Sequence, residues 1–303
     1  MKRFDPDQPG RRQINAWLGR SQPGGVLELP LSEDDPVDVA LTYQYNTLLH
    51  GHPIVNGYSG YESALQKLLG GSGSPLKGTD AEIISTLAGL RSIGVRFVVF
   101  SEVVNARTRH LWSQDAGRIA WTLSQASDHV VSARHEDGIW AWQLAGAPPL
   151  APLTYANLFP VTRDAFTASA SSEPADIRFA FDGNLATRWS TRSGQAGNEW
   201  IRIAFDRERD IGCLELDMGR DYTGEYPREL AIDTETADGA RQVAFAGSVV
   251  TTLIEGIARD GRSSRVRVEL PPGRARALWI RQTGRADGIR WTIAELKIWQ
   301  RRS

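Results

Sequence analysis

A proline break divides this 303-residue chain into two stretches with different hydrophobic periods. The break is GAPPLAP at residues 146–152. Proline fixes φ, donates no amide hydrogen bond and pushes the preceding residue out of the helical region, so no helix or central strand runs through such a segment. Before it, apolar residues recur at both helical and strand spacing. After it, nearly all patterns are strand patterns. At roughly 150 residues per domain the length also suggests two units. The expected organisation is an α/β layered domain over residues 1–147, a linker over 148–163 and an antiparallel β-sandwich of jelly-roll type over 164–303.

In the first stretch, residues 14–18 suggest a short helix and 26–31 (VLELPL) a strand. Residues 41–49 fit either state. Residues 61–69 read as a helix with Ser59 as N-cap, and 70–78 as a Gly/Ser-rich loop. Residues 80–93 form a clearer helix, with an acidic start, apolar Ile83, Leu87 and Leu90, and Gly94 as the stop. The apolar run 95–100 (VRFVVF) reads as a buried strand, and helix, glycine, strand in that order is an α/β signature. Residues 107–125 read as a further helix. Residues 129–134 and 139–144 flank the turn EDG as a hairpin.

In the second stretch, strands are expected at 200–205, 211–218, 229–234, 265–270, 277–282 and 293–299, separated by the turn signals ADG, PPG and ADG. Short strands at this spacing indicate a sandwich or barrel.

Composition excludes several classes. Lys+Arg total 35 against 36 Asp+Glu, a net charge of -1, so there is no overall pull toward nucleic acid or an anionic membrane. No apolar run approaches the ~20 residues of a transmembrane helix. The start, MKRFDPDQPGRRQ, lacks the apolar core of a secretory signal. The single cysteine, Cys213, excludes an internal disulfide and a multi-cysteine zinc site. GGSGSPLKG at 70–78 lacks the ending of a phosphate loop, and no nucleophile elbow is present.

The turn AFDGNLATRWST at 180–191 carries Asp, Asn and Thr around a glycine, a set of hard oxygen ligands suited to Ca²⁺. The same residues also make an Asx turn without a metal. Together with FTASASS (166–172), NEWIRIAF (198–205), LELDMG (214–219), YPRELAI (226–232) and WTIAELKIW (291–299), this turn resembles the discoidin, or coagulation factor V/VIII type C, domain and the galactose-binding-like carbohydrate-binding modules. The resemblance implies an eight-stranded β-sandwich with binding loops at one end. It implies that Asp182 and Glu295 supply carboxylates to a structural calcium ion, with Asn184 and Thr187 beside them. It places Trp189 and Trp299 in the core rather than against a sugar; Trp200 and Trp291 also invite a stacking reading.

The contact set is expected in the polar loops. Residues 219–226 offer Arg220, Asp221 and Tyr222. Residues 191–198 offer Arg192, Gln195 and Asn198, and 283–290 offer Arg285, Asp287 and Arg290. A sugar site needs an aromatic face and a few fixed charged or amide groups, which these loops supply; they also fit a ligand-free polar surface. Their polar tips disfavour membrane insertion.

The first stretch has its own resemblance. GGVLELPL (24–31), LTYQYNTLLHGHPIVNGYSGYE (41–62) and LRSIGVRFVVF (90–100) resemble the soluble tail of polytopic bacterial mannosyltransferase-like glycosyltransferases that use lipid-phosphate sugar donors. This implies an exoplasmic or periplasmic setting and attachment to, or association with, a membrane protein. No catalytic residue carries over, because the family's catalytic carboxylates lie in its membrane bundle. His50, His52, Asn56 and Tyr58 cluster in one loop. Two histidines at i, i+2 on a strand share a face and can hold a metal, but side chains bonded to backbone are the better reading. The acidic run Glu33, Asp34, Asp35 and Asp38 reads as a solvated loop.

These features favour a non-catalytic glycan-binding protein or accessory region. The alternatives are the soluble portion of a membrane glycosyltransferase whose catalytic part lies outside this chain, and an adhesion module without sugar affinity.

Overall fold

A computed structural model describes residues 9–31, 37–56, 63–108 and 116–302. The chain forms two compact units, Met1–Leu150 and Ala151–Ser303.

The first unit runs α1 (Pro9–Leu18), β1 (Gly25–Leu29), α2 (Val37–His50), α3 (Ala64–Gly70), α4 (Asp80–Ser92), β2 (Val95–Ser101), α5 (Glu102–Thr108), α6 (Ala116–Gln125), β3 (Val130–Glu136) and β4 (Ile139–Leu144). The sheet order is β1-β2-β4-β3, with β1 and β2 parallel and the other pairs antiparallel. On one face Phe97 and Val99 pack with Ile14, Leu18 and Val26. On the other Val98 and Phe100 pack with Leu87, Leu90, Ile119 and Leu123. Helices cover both faces, which is why VRFVVF is apolar without alternation.

Local signals set the element ends. A capping box between Thr79 and Glu82 starts α4. Asp137 (φ 47°) and Gly138 (φ 78°) take the two positive φ values that turn β3 into β4. The ambiguous stretch 41–49 lies in α2. The helix expected from residue 61 starts at Ala64, where the Ser63 hydroxyl accepts the Gln66 amide; Ser59 lies outside the described residues. The helix expected over 107–125 corresponds to α5 and α6, with 109–115 outside the described residues. The loop 70–78 holds one 3₁₀ turn, Pro75–Lys77.

The second unit contains β5 (Leu158–Pro160), β6 (Phe166–Ala170), β7 (Trp189–Ser190), β8 (Trp200–Asp217), β9 (Leu230–Glu235), β10 (Arg241–Gly247), α7 (Val250–Arg259), β11 (Arg265–Glu269), β12 (Arg274–Gln282), β13 (Thr292–Ile293) and β14 (Glu295–Arg301). It is a β-sandwich. One layer is β10-β9-β12-β8-β6 and the other β11-β8-β14-β5; β7 and β13 form a small ladder. Alternate residues fill the interior: Ile201, Ile203, Phe205, Ile232, Leu278 and Ile280 from the first layer, and Leu214, Leu216, Val266, Leu296 and Ile298 from the second.

Several expectations are corrected. The strands placed at 200–205 and 211–218 are one strand, β8. The polar DRERD between them stays extended because the first half of β8 pairs with β12 and β6, and the second half with β11 and β14. Arg209 braces this crossing through Asp206 (2.8 Å) and Gln300 (2.9 Å). Helix α7 has no counterpart in the sequence reading, since its β-branched run VVTTLI hides the i, i+3, i+4, i+7 stripe of Val250, Leu253, Ile254 and Ile257, all buried. Gly256 lets α7 sit on β11, where a Cβ would stand 2.0 Å from the Arg265 carbonyl oxygen. Residues 158–160, inside the expected linker, pair with the end of β14. Trp299 lies on the outer face of its layer. Its ring sits 4.6 Å from that of Tyr155, and its Nε1–H donates to Glu215.

Candidate functional site

The loops at one end of the sandwich are held by a buried aromatic pair. Trp189 and Trp291 are fully buried and meet edge to face at 5.1 Å. Both are packing residues. Trp189 Nε1–H donates to the Ser172 carbonyl at 2.9 Å, fixing loop 171–176. The Thr191 hydroxyl accepts the Trp291 amide at 3.0 Å, fixing the two chain segments that carry Arg192 and Arg290. Trp200 is half-buried on the outer face of β8, where its ring lies 5.1 Å from Trp279.

Around this frame lies a shallow pocket of about 380 Å³ whose lining includes Glu173, Asp176, Phe179, Arg188, Arg192 and Arg290. The Arg188 guanidinium stacks 4.0 Å over the Tyr222 ring. Glu173 has φ 42°, a left-handed backbone that a glutamate adopts only when its surroundings hold it there. The pocket therefore offers one aromatic side chain, three guanidinium donors and two carboxylate acceptors, the inventory that fixes a polyhydroxylated ligand.

The structure gathers some of the expected contact residues and separates others. Arg192 and Arg290 line the pocket, and Tyr222 reaches it through Arg188. Arg220 and Asp221 are exposed on the loop after β8 and are not among the lining residues. Asn198 and Arg285 are exposed on neighbouring loops that Gln195 and Ala286 join. Gln195 itself is buried: its Nε2 donates to the Tyr226 and Arg290 carbonyls (2.9 and 3.0 Å), and its Oε1 accepts the Arg228 amide at 3.0 Å. It ties loops together and does not face solvent. The sequence reading missed Glu173, Asp176, Phe179 and Arg188. Arg188 was visible within the TRW element but was absorbed into a core motif.

The calcium candidates meet beside the pocket. Asp182 accepts the Asn184 amide (2.9 Å) and the Thr187 hydroxyl (2.7 Å), and Asn184 Oδ1 accepts the Ala186 amide (3.1 Å). Glu295 accepts the Gly183 amide at 2.9 Å, joining this turn to the start of β14. Burial, with Asp182 and Asp217 adding like charge, holds the Glu295 carboxyl above its usual range. Two carboxylates, an amide, a hydroxyl and nearby carbonyls are the hard oxygen chemistry a calcium ion takes. Among the described residues no group of three or more His, Cys, Asp or Glu is placed to hold a metal, so an ion here would depend on the neutral oxygens as well.

The histidine loop of the first unit is a packing element. His50 ends α2, and its Nδ1 accepts the His52 amide at 3.0 Å. Both His52 ring nitrogens face carbonyls, Gly24 at 3.1 Å and Leu18 at 2.8 Å. Asn56 pairs with both backbone groups of Glu28, extending the edge of β1. The two histidines therefore do not share a strand face for a metal. Burial and the nearby Arg11 push His50 from its ordinary 6.5 down to about 4. Tyr58, Glu33, Asp34 and Asp35 lie outside the described residues, as does the side chain of Asp38. Among the described residues no helix is long and apolar enough to cross a membrane.

Comparison with known proteins places the second unit. The family model described as F5/8 type C domain matches residues 165–296. The second unit is a discoidin-like module. Its chain is similar to a family 32 carbohydrate-binding module of NanJ from C. perfringens, solved in complex with galactose, at 18% identity and TM-score 0.37 over 47% of this chain and 98% of that one. It is similar to a module from Clostridium perfringens in complex with GalNAc-beta-1,3-galactose at 16% identity and TM-score 0.36 over 46% and 99%. It is also similar to an F5/8 type C domain from Bacteroides fragilis at 18% identity and TM-score 0.38 over 48% and 99%. No curated protein matches the chain.

Proposed function

We propose that the second unit binds glycans without catalysis, with the ligand seated among Glu173, Asp176, Phe179, Arg188, Arg192 and Arg290. The observation that carries this reading is the pocket itself: charged donors and acceptors and one aromatic side chain converge at the loop end of a discoidin-like sandwich. Sugars are recognised by such fixed polar groups beside an apolar ring. A calcium ion held by Asp182, Asn184, Thr187 and Glu295 would act structurally, tying the turn to β14 next to the pocket. For the first unit, the resemblance to a glycosyltransferase tail stands as a proposal that rests on its sequence motifs at 24–31, 41–62 and 90–100.

Titration of the full chain against a glycan array tests the reading. Binding that falls at least tenfold in the double variant Arg188→Ala/Arg290→Ala, with an unchanged melting temperature, supports it. Binding unaffected by the double variant moves the site elsewhere. No binding across the array leaves the adhesion alternative.

A further inference from the structure

We infer that the glycan this pocket takes is anionic, carrying a carboxylate or a sulfate ester on the sugar; this rests on the glycan-binding reading above. Elsewhere in the same unit several arginines are paired with carboxylates. Arg202, Arg209, Arg241, Arg265, Arg281 and Arg301 each lie within ion-pair distance of a carboxylate, Glu235, Asp206, Glu235, Asp217, Asp233 and Asp210 respectively. Among the described residues, no ion pair or side-chain hydrogen bond engages the guanidinium of Arg188, Arg192 or Arg290. Exposed Arg207, Arg274, Arg276 and Arg285 make no ion pair among the described residues either; Arg188, Arg192 and Arg290 differ in that they converge on one pocket.

Carboxylates are close at hand, yet do not quench them. Glu173 and Asp176 line the same pocket without approaching any of the three guanidiniums to ion-pair distance. The lining therefore carries three positive groups against two negative ones in a chain whose net charge is -1. Arg188 lies instead against the Tyr222 ring, a contact that uses the face of its guanidinium carbon and not a carboxylate. A planar guanidinium donates two parallel hydrogen bonds to a carboxylate or sulfate, and such charge-assisted pairs are roughly twice as strong as neutral ones. The pocket carboxylates then accept from sugar hydroxyls on the same ring.

The test uses matched pairs of oligosaccharides that differ only at the anionic group: neutral galacto-, gluco- and manno-disaccharides, their uronic acid forms and their sulfated forms. Binding of each to the full chain is measured by calorimetry at 50 mM and 500 mM NaCl. The expected result is that one acidic member binds about tenfold tighter than its neutral partner at low salt, the size of one charge-assisted hydrogen bond. That preference shrinks at high salt, because exposed charges are screened. Uronic and sulfated arms identify which anion is preferred. Arg290→Gln brings the acidic member close to its neutral partner. Equal binding of neutral and acidic members, or a preference that salt and Arg290→Gln leave intact, overturns the inference and leaves the glycan reading standing. Binding of no member overturns both.

Discussion

The guanidinium of Arg188 lies 4.0 Å above the ring of Tyr222, so a residue two positions before the β7–β13 ladder ends is held by one from the loop after β8. This contact links two loops that are far apart in sequence.

The first prediction concerns that stack. Tyr222→Ala removes the ring and frees the arginine, while Tyr222→Phe keeps the ring face. An exposed cation–π contact contributes about 0.5–1 kcal/mol, so glycan affinity should fall roughly two- to fivefold in the alanine variant and hardly at all in the phenylalanine one. Calorimetry on both variants checks this. Equal losses would show that the hydroxyl, rather than the ring, is the group that matters.

A second prediction follows from Glu173, whose φ of 42° costs an ordinary L-residue roughly 1–2 kcal/mol. Asparagine tolerates this conformation better. Glu173→Asn should therefore raise stability by up to about 1 kcal/mol while weakening ligand binding, since a pocket carboxylate is lost. Urea unfolding gives the first quantity and titration the second. A variant that is neither more stable nor weaker in binding would show that Glu173 is neither strained nor used.

Much of this was legible in sequence, and the limits are physical. The FDGNLATRW element, the closing WTIAELKIW and the acidic start of the helix at 80–93 report local chemistry, and the structure builds a turn, a strand and a helix from them. Helix α7 was hidden because Val and Thr favour strands locally while burial of Leu253 and Ile257 decides the outcome. Strand β8 was split because polarity at 206–210 looks like a turn, although two sets of partners keep it extended. In the site, Arg192, Arg290 and Tyr222 stood out as polar loop residues. Glu173, Asp176 and Phe179 did not, because their loop is brought to the pocket by Trp189, a contact that no spacing reveals.

His50 provides a third prediction. Its pKa falls from 6.5 in the unfolded chain to about 4 in the fold, through burial and the Arg11 charge. The unfolded state therefore takes up a proton first as pH drops. Its contribution is fully present above pH 6.5 and is lost progressively as pH falls toward about 4, a loss on the order of 3 kcal/mol. Urea unfolding of the first unit at pH 7 and pH 4.5 measures it. His50→Gln should flatten that interval; an unchanged slope would assign the acid sensitivity to other groups.

Calcium gives a fourth. If Asp182, Asn184, Thr187 and Glu295 hold the ion, millimolar CaCl₂ should raise the melting temperature of the second unit and EDTA should reverse it. Because the Glu295 carboxyl is held above its usual range, the response should weaken on acidification earlier than for an ordinary carboxylate. Asp182→Ala should abolish it. A melting temperature indifferent to both reagents would leave the turn as an Asx turn closed by Glu295.

The last prediction separates scaffold from ligand contact. Gln195 is buried and uses its amide nitrogen on the Tyr226 and Arg290 carbonyls and its amide oxygen on the Arg228 amide and Gln282 Nε2. Replacing it with alanine takes this partner from the two carbonyls and the Arg228 amide, at about 1–3 kcal/mol for each one that water does not reach, while Gln282 Nε2 keeps the Gly284 carbonyl. Gln195→Ala should therefore lower the melting temperature of the second unit clearly and weaken binding as a consequence, because the Arg290 carbonyl loses its tether. The exposed pocket residue Arg192 should behave in the opposite way: Arg192→Ala should weaken binding with the melting temperature almost unchanged. Thermal melts and titrations on the two variants side by side distinguish them. Matching stability losses would place Arg192 in the scaffold and narrow the pocket to Arg188 and Arg290.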